Sequence, residues 1–201
     1  MKKILEYLTN SCYNGIVKNR RRDVKMDKKG KFKAIDIAIW FVWKNKIEKQ
    51  NNETEYDDKY EVYEGLSHLK LQKLLYYAQG LGLAINGSPI FSDKIVAWEH
   101  GPVVKDVYKY FKSWGREDIN ITIDETIIDS IKKIEENESV ANILNITYEN
   151  FGIYTAWQLR EMSHVARGPW ETTVRKKKMG AVIDKELIKN YFLENFVENE
   201  A

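Results

Sequence analysis

LQKLLYYAQG at residues 71–80 and AWEHGPVVKDVYKYF at residues 97–111 decide how this chain is read. In the first, Leu71, Leu74, Leu75, Ala78 and Leu81 recur at helical spacing, and Lys70, Lys73 and Gln79 mark the expected wetter side. Ser67 stands where an N-cap belongs, with a hydroxyl able to accept from a free first-turn amide. The helix is expected to end between Gly82 and Asn86, because Asn86, Gly87, Ser88 and Pro89 carry turn chemistry. Ile90 to Trp98 then reads as a short extended segment. Gly101-Pro102 is expected to open the next helix, since proline has no amide hydrogen to leave unpaired there. Val103, Val107, Tyr110, Phe111 and Trp114 supply its apolar stripe, and Gly115 its stop.

Working outward, the chain is mainly helical. Ile35, Ala38, Ile39 and Val42, broadened by Trp40 and Trp43, predict an early amphipathic helix, and Asn51 to Tyr60 predicts a loop. After Gly115, one stripe runs Ile127, Ile128, Ile131, Ile134 and another Val140, Leu144, Tyr148, Phe151. Thr155 with Gln158 has the form of a capping box for the helix bearing Leu159, Met162 and His164. Asp184 is placed to cap a last helix with Leu187, Ile188, Tyr191, Phe192 and Phe196, and Ile183 with Ile188 forms a hydrophobic staple. No repeat and no Gly/Ser/Pro-rich linker divides the chain. The expected fold is a single compact helical domain with a short extended or hairpin segment near residues 88–98. Tyr76 and Tyr77 point in different directions on a helix, so at most one is expected to be fully in the core.

At 201 residues and a formal net charge of +2, the chain is long enough for one sizeable core. Its charge is uneven. Residues 1–33 hold eleven Lys and Arg against three Asp and Glu, which leaves twenty-one against twenty-seven, so the extension carries about +8 and the body about −6. Arg20, Arg21 and Arg22 with Lys18 form the densest basic run, a candidate contact for phosphates or an acidic partner, or a solvated arm with no dedicated ligand. The single cysteine, Cys12, allows no internal disulfide and suits a reducing compartment. No apolar run is long enough to span a membrane and no secretory h-region follows Met1-Lys2-Lys3, so a cytoplasmic location is expected.

Nucleotide-binding, zinc-protease and nucleophile-elbow signatures are absent. Glu99-His100, His164 and His68 are the remaining acid/base candidates, and one cysteine with three scattered histidines makes a poor zinc ligand set. The chain is therefore read as a non-enzyme that needs no metal and no cofactor.

Three blocks, LQKLLYYAQG (71–80), AWEHGPVVKDVYKYF (97–111) and LREMSHVARGPW (159–170), resemble the SocA-like antitoxin, or Panacea domain, family. Their order and spacing match as well, from about Lys33 to Phe196, which divides the chain into a basic N-terminal extension, 1–33, and a Panacea domain, 34–201. The resemblance implies an antitoxin that binds a cognate toxin protein made with it, in a family with phage-associated members. It also implies, for one branch, delivery of the toxin to an AAA+ protease. The partner surface is expected near Lys70, Lys73, Tyr77 and the Gly101-Pro102 loop. His164 and Trp170 admit two readings: part of a recognition surface, or packing in which His164 meets a backbone carbonyl, Trp170 fills the core and Gly168-Pro169 turns the chain. The alternative class is a nucleic-acid-binding transcriptional regulator, in which Lys105, Lys109 and Lys112 or the basic arm contact operator DNA.

Overall fold

A computed structural model describes residues 30–55 and 65–197. The expected contact at Arg20, Arg21 and Arg22, and nearly all of the basic extension, lie outside the described residues. Among those residues there are eight α-helices and one hairpin: α1 (Ala34–Glu55), α2 (His68–Ile85), β1 (Ile95–Trp98), β2 (Gly101–Val104), α3 (Lys105–Phe111), α4 (Glu125–Glu135), α5 (Glu138–Phe151), α6 (Ala156–Ser163), α7 (Pro169–Lys176) and α8 (Lys185–Phe196). The fold is mainly α with one small antiparallel pair, as expected. α1 runs on through Glu55, beyond the loop expected from Asn51.

α2 is the axis. Every residue from Lys70 to Ile85 is buried, because α1, α5, α6, α8 and the hairpin surround it. Ser67 accepts from the Lys70 amide and starts it, and the Asn86 amide closes it on the Gly82 carbonyl. Tyr76 and Tyr77 are both fully buried, which corrects the expectation that only one would be. A helix covered on all sides has no outward direction for the second ring. Tyr77 stacks on Phe151 of α5 at 4.1 Å between ring centres, and Tyr76 meets Phe192 of α8 edge-on at 5.5 Å. Gly80 makes that approach possible, since a Cβ there would stand 2.4 Å from the Phe192 ring. Each fully buried leucine of the Leu71, Leu74 and Leu75 row contributes roughly 1.5–3 kcal/mol of hydrophobic free energy.

The remaining boundaries follow local chemistry. Asp124 and Asn137 cap α4 and α5; Thr155 and Gln158 complete both bonds of the capping box on α6; Asp184 caps α8. Ile183 and Ile188 are both buried beside that last cap. Along α1 the buried face is centred on Ile37, Trp40 and Phe41, while Ile35 and Ile39 of the expected stripe are only half-buried. The Trp40 indole donates to Glu135, which ties α1 to α4.

Of the extended segment expected near residues 88–98, the last part, Ile95–Trp98, is β1, and its partner β2 follows just beyond. β1 pairs with β2 in the register Val96↔Val103 and Ala97↔Pro102, so the hairpin spans 95–104 and turns at Glu99-His100. Gly101-Pro102 therefore does not open a helix. Gly101 has φ +102°, outside helical space, and α3 begins only at Lys105. Tyr110, expected in the α3 stripe, is 53% exposed because only Val107 and Phe111 of this short helix turn inward.

Candidate functional site

Three backbone carbonyls at the hairpin turn each meet a side chain from a different helix. Lys73 of α2 donates to the Pro102 carbonyl at 3.0 Å. Trp170 of α7 donates its indole N–H to the Trp98 carbonyl at 2.8 Å. His164, at the end of α6, places Nε2 3.2 Å from the Glu99 carbonyl and Nδ1 2.7 Å from the Arg160 carbonyl. Gln72 adds a fourth bond, accepting from the Val104 amide at 2.8 Å.

The pattern has a simple cause. β1 is paired on its outer edge by residues 180–183, through Ala97 N to Ala181 O, Gly180 N to Ala97 O and Ile183 N to Ile95 O. Among the described residues no strand pairs with the outer edge of β2; side chains of α2 take the polar groups there instead. Proline fits at position 102 because its missing N–H falls on that edge, where only a carbonyl needs a partner. Gln79 does the same for the approach to the hairpin, accepting from the Ile90 and Phe91 amides and donating to the Phe91 carbonyl.

The clamp closes around Gly101. A Cβ at this glycine would stand 2.6 Å from Lys73 Nζ, 2.8 Å from Ser163 Oγ and 3.0 Å from His164 Cε1. Ser163 Oγ donates to the Arg160 carbonyl at 2.7 Å. The His164 and Trp170 rings lie 3.8 Å apart. Burial, with the positive charge of Arg160 second, lowers the Lys73 pKa from its ordinary 10.5 to about 7. His164 faces two carbonyls, which only the imidazolium can satisfy together, yet burial outweighs those bonds and its pKa is also lowered. His68 is lowered by burial and by Lys73, and its ring lies 4.7 Å from Tyr108, which in turn packs on Trp98.

The expected partner residues thus fall into two groups. Lys73, Gly101, Pro102, His164 and Trp170 come together at the hairpin; His164 meets a backbone carbonyl as the packing reading expects, but Trp170 is half-buried rather than filling the core, and Gly168-Pro169 opens α7. Lys70, Lys73 and Tyr77 do not form an exposed basic and aromatic face; they are 3%, 0% and 1% exposed. Tyr77 belongs to the separate aromatic contact with Phe151. Arg160, Ser163 and Gln72 were not singled out by sequence, although the first two stand inside the third block. Lys105, Lys109 and Lys112 are exposed, but α3 is only seven residues long and Lys109 is 3.7 Å from Asp106. Among the described residues no three His, Cys, Asp or Glu side chains gather around a common point.

All three sequence blocks contribute to this one clamp: Lys73 from the first, Trp98 to Pro102 from the second, Arg160 to Trp170 from the third. A helical domain organised around such a hairpin matches the family described as Antitoxin SocA-like, Panacea domain, over residues 71–171, half of the 201-residue chain, and the chain belongs to that family. It is similar to Antitoxin SocA of Caulobacter vibrioides (strain NA1000 / CB15N), 33% identical over 110 residues. That alignment covers 53% of this chain and 58% of the relative, so the chain spans well under two thirds of the curated relative it matches. No solved structure matches. No helix among the described residues is long and apolar enough to cross a membrane.

Proposed function

We propose that this chain is an antitoxin that binds a toxin protein made with it and holds that toxin inactive, without catalysing a reaction. Family membership over residues 71–171 carries the reading. The geometry supports it: Lys73, His164 and Trp170 of the shared blocks are spent on the hairpin, and a complex that covers the toxin's working surface needs no chemistry from its partner. Handing the bound toxin to an AAA+ protease is a further step that the same binding permits.

The test is co-expression with the protein encoded beside this chain, scored for growth rescue and for co-purification at moderate salt. Rescue with a stable complex is the expected result. Rescue with falling toxin levels and no complex assigns the protease-adaptor role instead, and a harmless neighbour that does not bind removes the antitoxin reading. Operator DNA is a weaker partner for the body, whose net charge of about −6 repels phosphates.

A further inference from the structure

Beside the clamp lies a groove of about 530 Å³ between the entry to α2, the hairpin turn and the first turn of α6. Leu69 and Ala156 line it with His100, Arg116, Asp118 and Trp157. Resting on the antitoxin reading above, we propose that this groove takes the protein partner, by seating an apolar or aromatic side chain of the partner against Trp157 with a partner carboxylate on Arg116.

Trp157 is 59% exposed on a helix whose first turn is held by both bonds of a capping box. The Arg160 guanidinium lies 4.6 Å from its ring centre, so one face is covered and the ring does not swing freely. Ile153, one turn earlier in the chain, is 75% exposed. A large, fixed, half-open indole with an exposed apolar side chain four residues before it in the chain is the composition of an interface anchor. The opposite wall is equally fixed. Ile119 donates to the Leu66 carbonyl, and the Asp118 carboxyl lies directly over Gly65. The clamp fixes the Trp157 side against the hairpin turn, because His164 and Trp170 bind the carbonyls of Glu99 and Trp98 next to His100. A groove preset in this way loses little entropy when filled.

Charge selects the occupant. Asp118 faces Lys49 at 3.9 Å, whereas exposed Arg116 has no ion-pair partner among the described residues. The ionic group left for a ligand at this rim is a cation, which calls for a carboxylate. A nucleic acid would also stack on an indole, but it would bring a run of phosphates to a body of net charge about −6. A protein segment that pairs an apolar residue with a single acid meets the groove without that penalty.

The experiment measures binding of the neighbour-encoded protein to the purified full chain by calorimetry, comparing wild type with Trp157→Ala, Arg116→Glu and, outside the groove, Met179→Ala. Trp157→Ala is expected to weaken binding by at least about tenfold and Arg116→Glu by a similar factor, with Met179→Ala unchanged and all melting temperatures alike. Neighbour binding by the wild type that survives within twofold in both groove variants overturns the groove and leaves the antitoxin reading standing. Failure of the wild type to bind overturns that reading, and the groove with it. Trp157-dependent binding of a short single-stranded oligonucleotide in place of the protein also overturns the proposal. If Trp157→Ala melts early, Arg116→Glu on its exposed segment decides alone.

Discussion

Trp170 and Trp157 stand thirteen residues apart, both on short helices packed near the hairpin, and the fold uses them in opposite ways. Trp170 is half-buried against His164, with its N–H spent on the Trp98 carbonyl. Trp157 is mostly exposed, with one face under Arg160. Around Trp170 the indole N–H and the His164 ring close the hairpin, so substitutions there are expected to act on folding. Around Trp157 the groove is open, so substitutions there are expected to act on what the protein binds. Residues of the shared blocks therefore record chiefly how the fold closes, and partner choice is expected to sit just outside them.

The largest effect that would test this division is at the centre of the clamp. Gly101→Val combines a φ of +102° with a side chain driven into Lys73, Ser163 and His164, and is expected to cost roughly 3 kcal/mol or more. A denaturant midpoint that does not move would show that the clamp is dispensable. Trp170→Phe keeps the ring but removes the donor to Trp98, at about 1–3 kcal/mol in the same assay.

Lys73 sharpens the comparison through pH. The folded side chain releases its proton near pH 7, while the unfolded one holds it to about 10.5, so between those values the unfolded chain binds more protons and stability rises with pH. The gain is about 2 kcal/mol from pH 7 to 9, below the range where the raised pKa values of buried Tyr76 and Tyr77 act with the opposite sign. Thermal melts of Lys73→Met are expected to lose that slope; an unchanged slope would assign it to another group. On the acid side, lowered His68 and His164 make stability fall as pH drops below about 6.5, and replacing His164 with Gln should soften that fall. The smallest effect belongs to Trp157→Ala, within about 0.5 kcal/mol of wild type in stability. A larger loss would place this residue with the clamp.

Much of the fold was legible locally. Ser67, Thr155 with Gln158, and Asp184 cap the helices that their side-chain chemistry predicts. Val140, Leu144, Tyr148 and Phe151 are all buried, as their spacing requires. The polar side of α2 was misread. Spacing separates polar from apolar positions, but Lys73 and Gln79 turn toward backbone carbonyls and amides rather than water, and a one-dimensional pattern carries no sign of that. The Trp157 groove had one legible signal: on a helix whose Leu159 faces inward, the residue two before it lies about 200° round, facing out.

What the sequence determined by itself was most of the helices, the caps at Ser67, Thr155 and Asp184, and the family, because these depend on neighbours within a turn or on motifs read along the chain; it did not show α7. Tertiary structure alone decided that α2 is buried on every side and that Gly101-Pro102 belongs to a strand. It also decided that Lys73, Glu99, His164 and Trp170 share one clamp while Trp157 stays in the open. Those outcomes depend on groups far apart in the chain competing for the same unpaired carbonyls of β2 and its turn, and only the folded arrangement says which of them arrives.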